Sequence, residues 1–243
     1  MLNLLDENSV EEFFFNGQSL TGTEDISLSS ECFIEDCPDF KYEFINLIGN
    51  ENLVLHEAIV SGTLNKEKFC NVECIISEWK NQRLIRWSGY GSFGYTENIQ
   101  KKLLFNRELS GEAENSFFAK QLLSYIKNGN TDSIENALDS ELEIFYVTNN
   151  GLEIFYKVPN FISQYQNFFN KSKTIDFEIK SIFKCGHLVV IEFESSKLNK
   201  NKDIVTVHEC LISEWDTGKL SNFRIYVAET PSAEETLSSI SAI

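Results

Sequence analysis

The feature that most constrains this chain is a phrase it writes twice: ECIISEW at 73–79 and ECLISEW at 209–215. Self-similarity at a fixed spacing decides architecture before any local reading does. Extended, ECIISEWKNQRLIRWSGY (73–90) faces ECLISEWDTGKLSNFRIY (209–226), with Glu73/Glu209, Cys74/Cys210, Ser77/Ser213, Glu78/Glu214, Trp79/Trp215 and Tyr90/Tyr226 among the identities. Upstream, FINLIGNENLVLHEAIVSGTLNK (44–66) faces IKSIFKCGHLVVIEFESSKLNK (179–200) across a one-residue gap. Further back, GTEDISLSSECFI (22–34) faces YKVPNFISQYQNFF (156–169), and both read as a short helix. The sequence therefore reads as a tandem duplication.

The second copy is the more complete. Residues 112–127 carry apolar positions Phe117, Phe118, Leu122, Leu123 and Ile126, a helical stripe. After Asn128-Gly129-Asn130, residues 132–138 read as a second helix. Strands at 141–148 and 152–157 flank the turn signal Asn149-Asn150-Gly151. Pro159 opens a third helix to about 170, and strands follow at about 174–184, 187–197, 203–215 and 219–228. The tight connections Cys185-Gly186 and Asp216-Thr217-Gly218 make these antiparallel.

This order of elements resembles the NTF2-like superfamily, in particular its SnoaL-like and ketosteroid-isomerase-like branch. The pieces that carry it are NGNTDSIENAL after the first helix and EWDTGKLSNFRIY in the final hairpin. The resemblance implies an α+β chain of two tandem NTF2-like (cystatin-like) cones, each a curved antiparallel sheet wrapped around helices. Residues 1–94 would be a truncated first cone, in which 1–6 supply only the end of the second helix. Residues 95–111 would connect it to a complete cone at 112–229, with a flexible tail at 230–243. It also implies that the concave face lines a pocket and the outer face pairs two domains, so that the tandem forms an intramolecular pseudo-dimer.

The net charge is −16, and every charged residue before Lys41 is acidic. Such a surface repels phosphates, so neither nucleic acid nor an anionic membrane is an expected partner. The opening residues lack the basic and long apolar regions of a signal peptide, and apolar runs are too short to span a bilayer, so a cytoplasmic location is expected. Cys32, Cys37, Cys70, Cys74, Cys185 and Cys210 form no CxxC pair. Free thiols are expected, with no metal and no cofactor.

Ketosteroid isomerase uses an Asp base with a Tyr and a protonated Asp as oxyanion donors. The resemblance carries the Tyr onto Leu122, the base onto Phe145 or Tyr146, and the protonated Asp onto Cys210, or Cys74 in the first copy. None supplies that chemistry. His208 and Cys210, two apart on one strand and so on one face, are the catalytic candidates that remain. Glu78 and Glu214 share that face as candidate cone-mouth carboxylates, whereas Glu73 and Glu209 lie opposite, as interface contacts at best. Tyr125, Phe145, Tyr146, Phe155, Phe193 and Tyr226, with Glu214, are the candidate lining of a pocket for a small apolar molecule. His56 and His187 read as structural, and SGYGSFGY (88–95) as a flexible exit from the first repeat, despite its G-x-G-x-x-G spacing.

Three functions stay open on this reading. The leading one is a non-catalytic module binding a small apolar molecule in the second cone. An isomerase, cyclase or dehydratase with His208 as base comes next, then an interaction module with filled cones. Further homo-oligomerisation is open in each.

Overall fold

Period-2 patterns fill most of the chain, and they build two six-stranded sheets. The structure, a computed structural model, describes residues 4–14, 17–92, 115–139, 142–148, 151–155, 158–163, 174–198, 203–216 and 218–229. The first unit contains β1 (Leu5–Phe13), β2 (Gln18–Thr21), α1 (Thr23–Asp36), β3 (Lys41–Gly49), β4 (Leu53–Leu64), β5 (Glu67–Lys80) and β6 (Arg83–Ser92). The second contains α2 (Asn115–Lys127), α3 (Thr131–Ala137), β7 (Ile144–Thr148), β8 (Gly151–Phe155), a helical stretch at 158–163, β9 (Thr174–Cys185), β10 (Leu188–Leu198), β11 (Ile204–Asp216) and β12 (Lys219–Glu229).

The strand orders are β2-β1-β6-β5-β4-β3 and β8-β7-β12-β11-β10-β9, the same path in each sheet. Three expectations for the first unit are corrected. Leu5 and Asp6 open strand β1 instead of ending a helix, and β1 runs parallel to β6 in a sheet expected to be wholly antiparallel. The two strands come from opposite ends of the unit's sequence, so no tight turn dictates their direction. The exit 88–92 is also not loop. It completes β6, while residues 93–95 lie outside the described residues.

The repeated phrase now has a physical role. In β11 the Trp215 indole N–H donates to Ser213 Oγ at 2.9 Å, and that hydroxyl donates to the Val189 carbonyl on β10 at 3.0 Å. In β5, Trp79 donates to Ser77 Oγ at 2.9 Å, and Ser77 to the Val54 carbonyl on β4 at 3.1 Å. Opposite the Glu-Trp step the next strand carries one extra residue, Ile85 of β6 facing Glu78–Trp79 and Ser221 of β12 facing Glu214–Trp215. The Ser-x-Trp spacing thus ties the strand end to its regular neighbour, across from the side where the other neighbour bulges, and turns the indole into the core.

That core defines an inner face of each sheet. In the second unit Trp215, Leu211, Val207, Phe193, Ile191, Val189, Phe223 and Ile225 pack with Ala119, Leu122 and Leu123 of α2, Ile134 of α3, and Phe161 and Ile162. The spacing of Ala119, Leu122 and Leu123 is one helical stripe. In the first unit Trp79, Trp87, Leu84 and Leu5 gather around Ile26 of α1. The opposite, outer face is buried too: Leu55, Glu57, Cys74, Ile76 and Tyr90 in one sheet, and Val190, Glu192, Cys210, Ile212, Arg224 and Tyr226 in the other.

The hairpins β4–β5 and β5–β6 close through Asn65-Lys66 (φ 52°, 70°) and Asn81-Gln82 (φ 51°, 62°). Both central residues are left-handed, as a two-residue turn that matches strand twist requires. Lys and Gln are poor there, because a Cβ crowds the carbonyl. Lys66→Gly and Gln82→Gly are each expected to raise stability by about 1 kcal/mol, read as a higher urea midpoint at unchanged slope.

Candidate functional site

The structure divides the sequence-derived candidates between two faces of the second sheet. Tyr125, Tyr146 and Phe193 belong to the inner, helix-packed core. His208, Cys210, Glu214 and Tyr226 lie on the outer face, as the register shows: Cys210 opposes Glu192 and Tyr226, His208 opposes Glu194 and Ala228, and Glu214 opposes Leu188 and Asn222. Phe145 is buried, beside Ile144, which belongs to the inner core. The side chain of Phe155 lies outside the described residues. These groups do not converge on one cone.

Each has local partners. His208 Nδ1 lies 3.6 Å from Glu194 Oε2, and burial holds the imidazole below its ordinary pKa, with Glu194 opposing. Glu214 Oε1 accepts from buried His187 Nε2 at 3.1 Å, and Glu78 pairs with Arg86 at 2.9 Å. Glu214 and Glu78 therefore lie on outer faces. Glu209, expected opposite the cone, is on the inner face, between Phe193 and Val227 and accepting from Ser195 Oγ at 3.0 Å. The inversion has a plain cause. Both faces of these strands are covered, so alternation separates them without saying which carries the helices.

The first sheet assembles a different set. Strand pairing places Glu73 between Ala58 and Gly91, where the second sheet has Glu209 between Phe193 and Val227. The same registers place His56 where the second sheet has Ile191, Asn71 where it has Val207, Tyr42 where it has Phe177, and Trp87 where it has Phe223. At all six positions an apolar side chain of the second inner face is matched by a smaller, more polar or hydrogen-bonding one in the first. One inner face is filled, and the other is furnished.

The rings form a connected group. Ring centroids are 4.9 Å apart for Tyr42 and Phe44, 5.8 Å for Tyr42 and His56, 5.7 Å for Phe44 and His56, and 6.2 Å for His56 and Trp87. Tyr42 Oη, His56 Nε2, Trp87 Nε1 and Asn71 Oδ1 are buried without a hydrogen-bond partner. Native proteins rarely leave such atoms unpaired, because each costs about 1–3 kcal/mol. The face is not sealed, however: Phe44 and Leu47 on β3 are 61% and 68% exposed.

Burial alone pushes the Glu73 carboxyl up to about 7, and Glu11, beside Trp87 in the register, likewise up to about 7. Burial, with the charge of Glu73 adding, raises the Tyr42 phenol as well, which places that phenol within the field of Glu73. Burial holds His56 down at about 4, so its imidazole is neutral at pH 7. Among the described residues no group of three or more His, Cys, Asp or Glu is gathered as a metal ion would require.

The sequence reading missed this set for a countable reason. Counting back from the shared Leu-Asn-Lys of 64–66 and 198–200 sets His56 against Val190 and Ala58 against Glu192. The pairing instead sets them against Ile191 and Phe193, because the β4–β5 and β10–β11 loops differ in length. With that shift, the small and polar exchanges are visible in the sequence.

Opposed titrations follow. An ordinary glutamate, at 4.5, loses its proton well before Glu73 does at about 7, so the folded chain holds the extra proton between those values. The stability this confers is complete below pH 4.5 and is lost as pH rises to 7. His56 has the opposite sign: its contribution is complete above 6.5 and is lost as pH falls through 4. Glu73→Gln, which mimics the protonated acid, is therefore expected to melt with the parent at pH 5. At pH 8 it should be more stable, by on the order of 2 kcal/mol, in calorimetric scans.

No protein-family model matches this chain, and no curated protein matches it in sequence. Among solved structures, an LEH-like epoxide hydrolase of M. tuberculosis is 17% identical over 51% of this chain and 87% of its own, at a TM-score of 0.40. An NTF2-like protein of Burkholderia xenovorans LB400 is 11% identical over 51% of this chain and 95% of its own, at 0.40. A Catenulispora acidiphila protein with a ketosteroid isomerase-like fold, in complex with trimethylamine, is 14% identical over 37% and 70%, at 0.34. The order of elements in the second unit, two helices, two short strands, a helical stretch and four long strands, is what makes the fold α+β.

Proposed function

We propose that this protein binds a small, largely apolar molecule with a polar edge on the inner face of its first sheet. The observation that carries this is the set of unpaired buried atoms, Tyr42 Oη, His56 Nε2, Trp87 Nε1 and Asn71 Oδ1, around a floor cut down to Ala58 and Gly91. A ligand meeting those atoms offsets the cost of burying them, while the four rings supply apolar contact. Binding in the second cone has less support, since Phe193, Ile191, Val207 and Val227 pack that face against the helices. A catalytic role for His208 rests on its contact with Glu194 and its place two residues from Cys210.

The test is a titration with the neutral apolar dye N-phenyl-1-naphthylamine, followed by its fluorescence. Ala58→Phe, which writes the second sheet's residue into the first, is expected to weaken binding about tenfold or more, and Gly91→Val to do the same. Phe193→Ala in the second unit leaves it unchanged. Binding untouched by both filling variants, in protein with parental circular dichroism, places the dye elsewhere and overturns the reading.

A further inference from the structure

The hydrogen-bonding and charge character of the first inner face narrows the ligand. Its acidic and acceptor groups are the carboxyls of Glu11, 5% exposed, and of half-buried Glu73, with Asn71 Oδ1 on a side chain only 7% exposed. Among the described residues nothing cationic faces them. Arg86, on β6, projects from the outer face, where it pairs with Glu78 at 2.9 Å and Glu12 at 3.8 Å. Helix α1, which lies on the inner side, has no Lys or Arg, and it carries Glu24, Asp25, Glu31, Glu35 and Asp36. The neighbouring rings of Tyr42, Phe44, His56 and Trp87 stand within 6.2 Å of one another, centroid to centroid, along one edge of this acidic patch. Carboxylates without a counter-charge, bounded by aromatic faces, are what a quaternary or protonated amine requires, since ring faces and anions attract the same charge.

We infer that the ligand of this face is an organic cation, an amine with an apolar body, whose charged head is held by Glu73 and the aromatic rings beside it. This rests on the binding reading above and adds the charge of the ligand to it. Binding a cation favours ionised Glu73, so it releases a proton wherever that carboxyl is still protonated. The other groups that face Glu73 do not compete for this role. Tyr42 and His56 are neutral at pH 6–8, and Asn71 and Trp87 do not titrate. Glu11 changes with the same sign.

The experiment uses two probes of one shape on the full chain, phenyltrimethylammonium and tert-butylbenzene, each displacing N-phenyl-1-naphthylamine. The cation never loses its charge, so any pH dependence belongs to the protein. It is expected to bind about tenfold tighter at pH 8 than at pH 6 as Glu73 ionises, while tert-butylbenzene is indifferent to pH. Glu73→Gln should remove most of the pH dependence and most of the cation's advantage over tert-butylbenzene, the remainder belonging to Glu11. Asn71→Leu, a second variant, should weaken a primary-amine probe such as phenethylammonium and spare the quaternary one, which has no N–H to donate. If the dye binds and both probes displace it equally, or the cation's advantage survives undiminished in Glu73→Gln, the charge assignment is wrong and the binding site stands. If the dye's binding ignores Ala58→Phe, the site itself falls, and this inference with it.

Discussion

The tie from indole to serine to carbonyl at the end of β5 and of β11 is the interaction on which each sheet depends. A long strand whose neighbour bulges on one side keeps its place when the other side holds it, and here the holding is done by side chains. The indole N–H is satisfied inside the core, the hydroxyl is both acceptor and donor, and a backbone carbonyl of the neighbouring strand receives the last bond. Cooperative chains of this kind strengthen in a low dielectric. The phrase Ser-Glu-Trp is thus written twice because each sheet needs its own clamp.

With the strand ends fixed, the remaining inner positions are free to differ, and the two sheets have used that freedom differently. The second fills its inner face with Phe193, Val227, Ile191, Val207, Phe177 and Phe223, and its one inward carboxylate of the pair, Glu209, is hydrogen-bonded by Ser195. The first holds Ala58, Gly91, His56, Asn71, Tyr42 and Trp87 at the equivalent places. A filled face contributes apolar burial, and a furnished one gives up part of that burial for chemistry.

Much of this was legible in the sequence, for identifiable reasons. The long strands β9 to β12 and helix α2 were readable because alternation and the Leu122/Leu123 stripe are strong periodic signals, and their observed bounds fall within a few residues of the reading. Strand β1 was not, since LDENSVEEF is polar at most positions and buries only Leu5, Ser9 and Glu11. The face of each candidate was not legible either. His208, Cys210 and Glu214 share a face by arithmetic, but only packing shows that the helices lie on the other side. His56 looked like a turn-side histidine because its neighbours in space, Tyr42, Phe44 and Trp87, come from three separate stretches of chain.

The outermost strands carry one more lesson. Strand β3 interrupts its pairing with β4 between Phe44 and Asn46, and β9 interrupts its pairing with β10 opposite the step from Glu192 to Phe193, which leaves Lys180 as the extra residue. The other borders, β2 and β8, are four and five residues long. A ladder broken midway, or too short to begin with, gives another chain no continuous row of amides to zip onto. Chains rich in long, apolar strands are the ones most exposed to fibrillar stacking, and these interruptions keep each sheet finite.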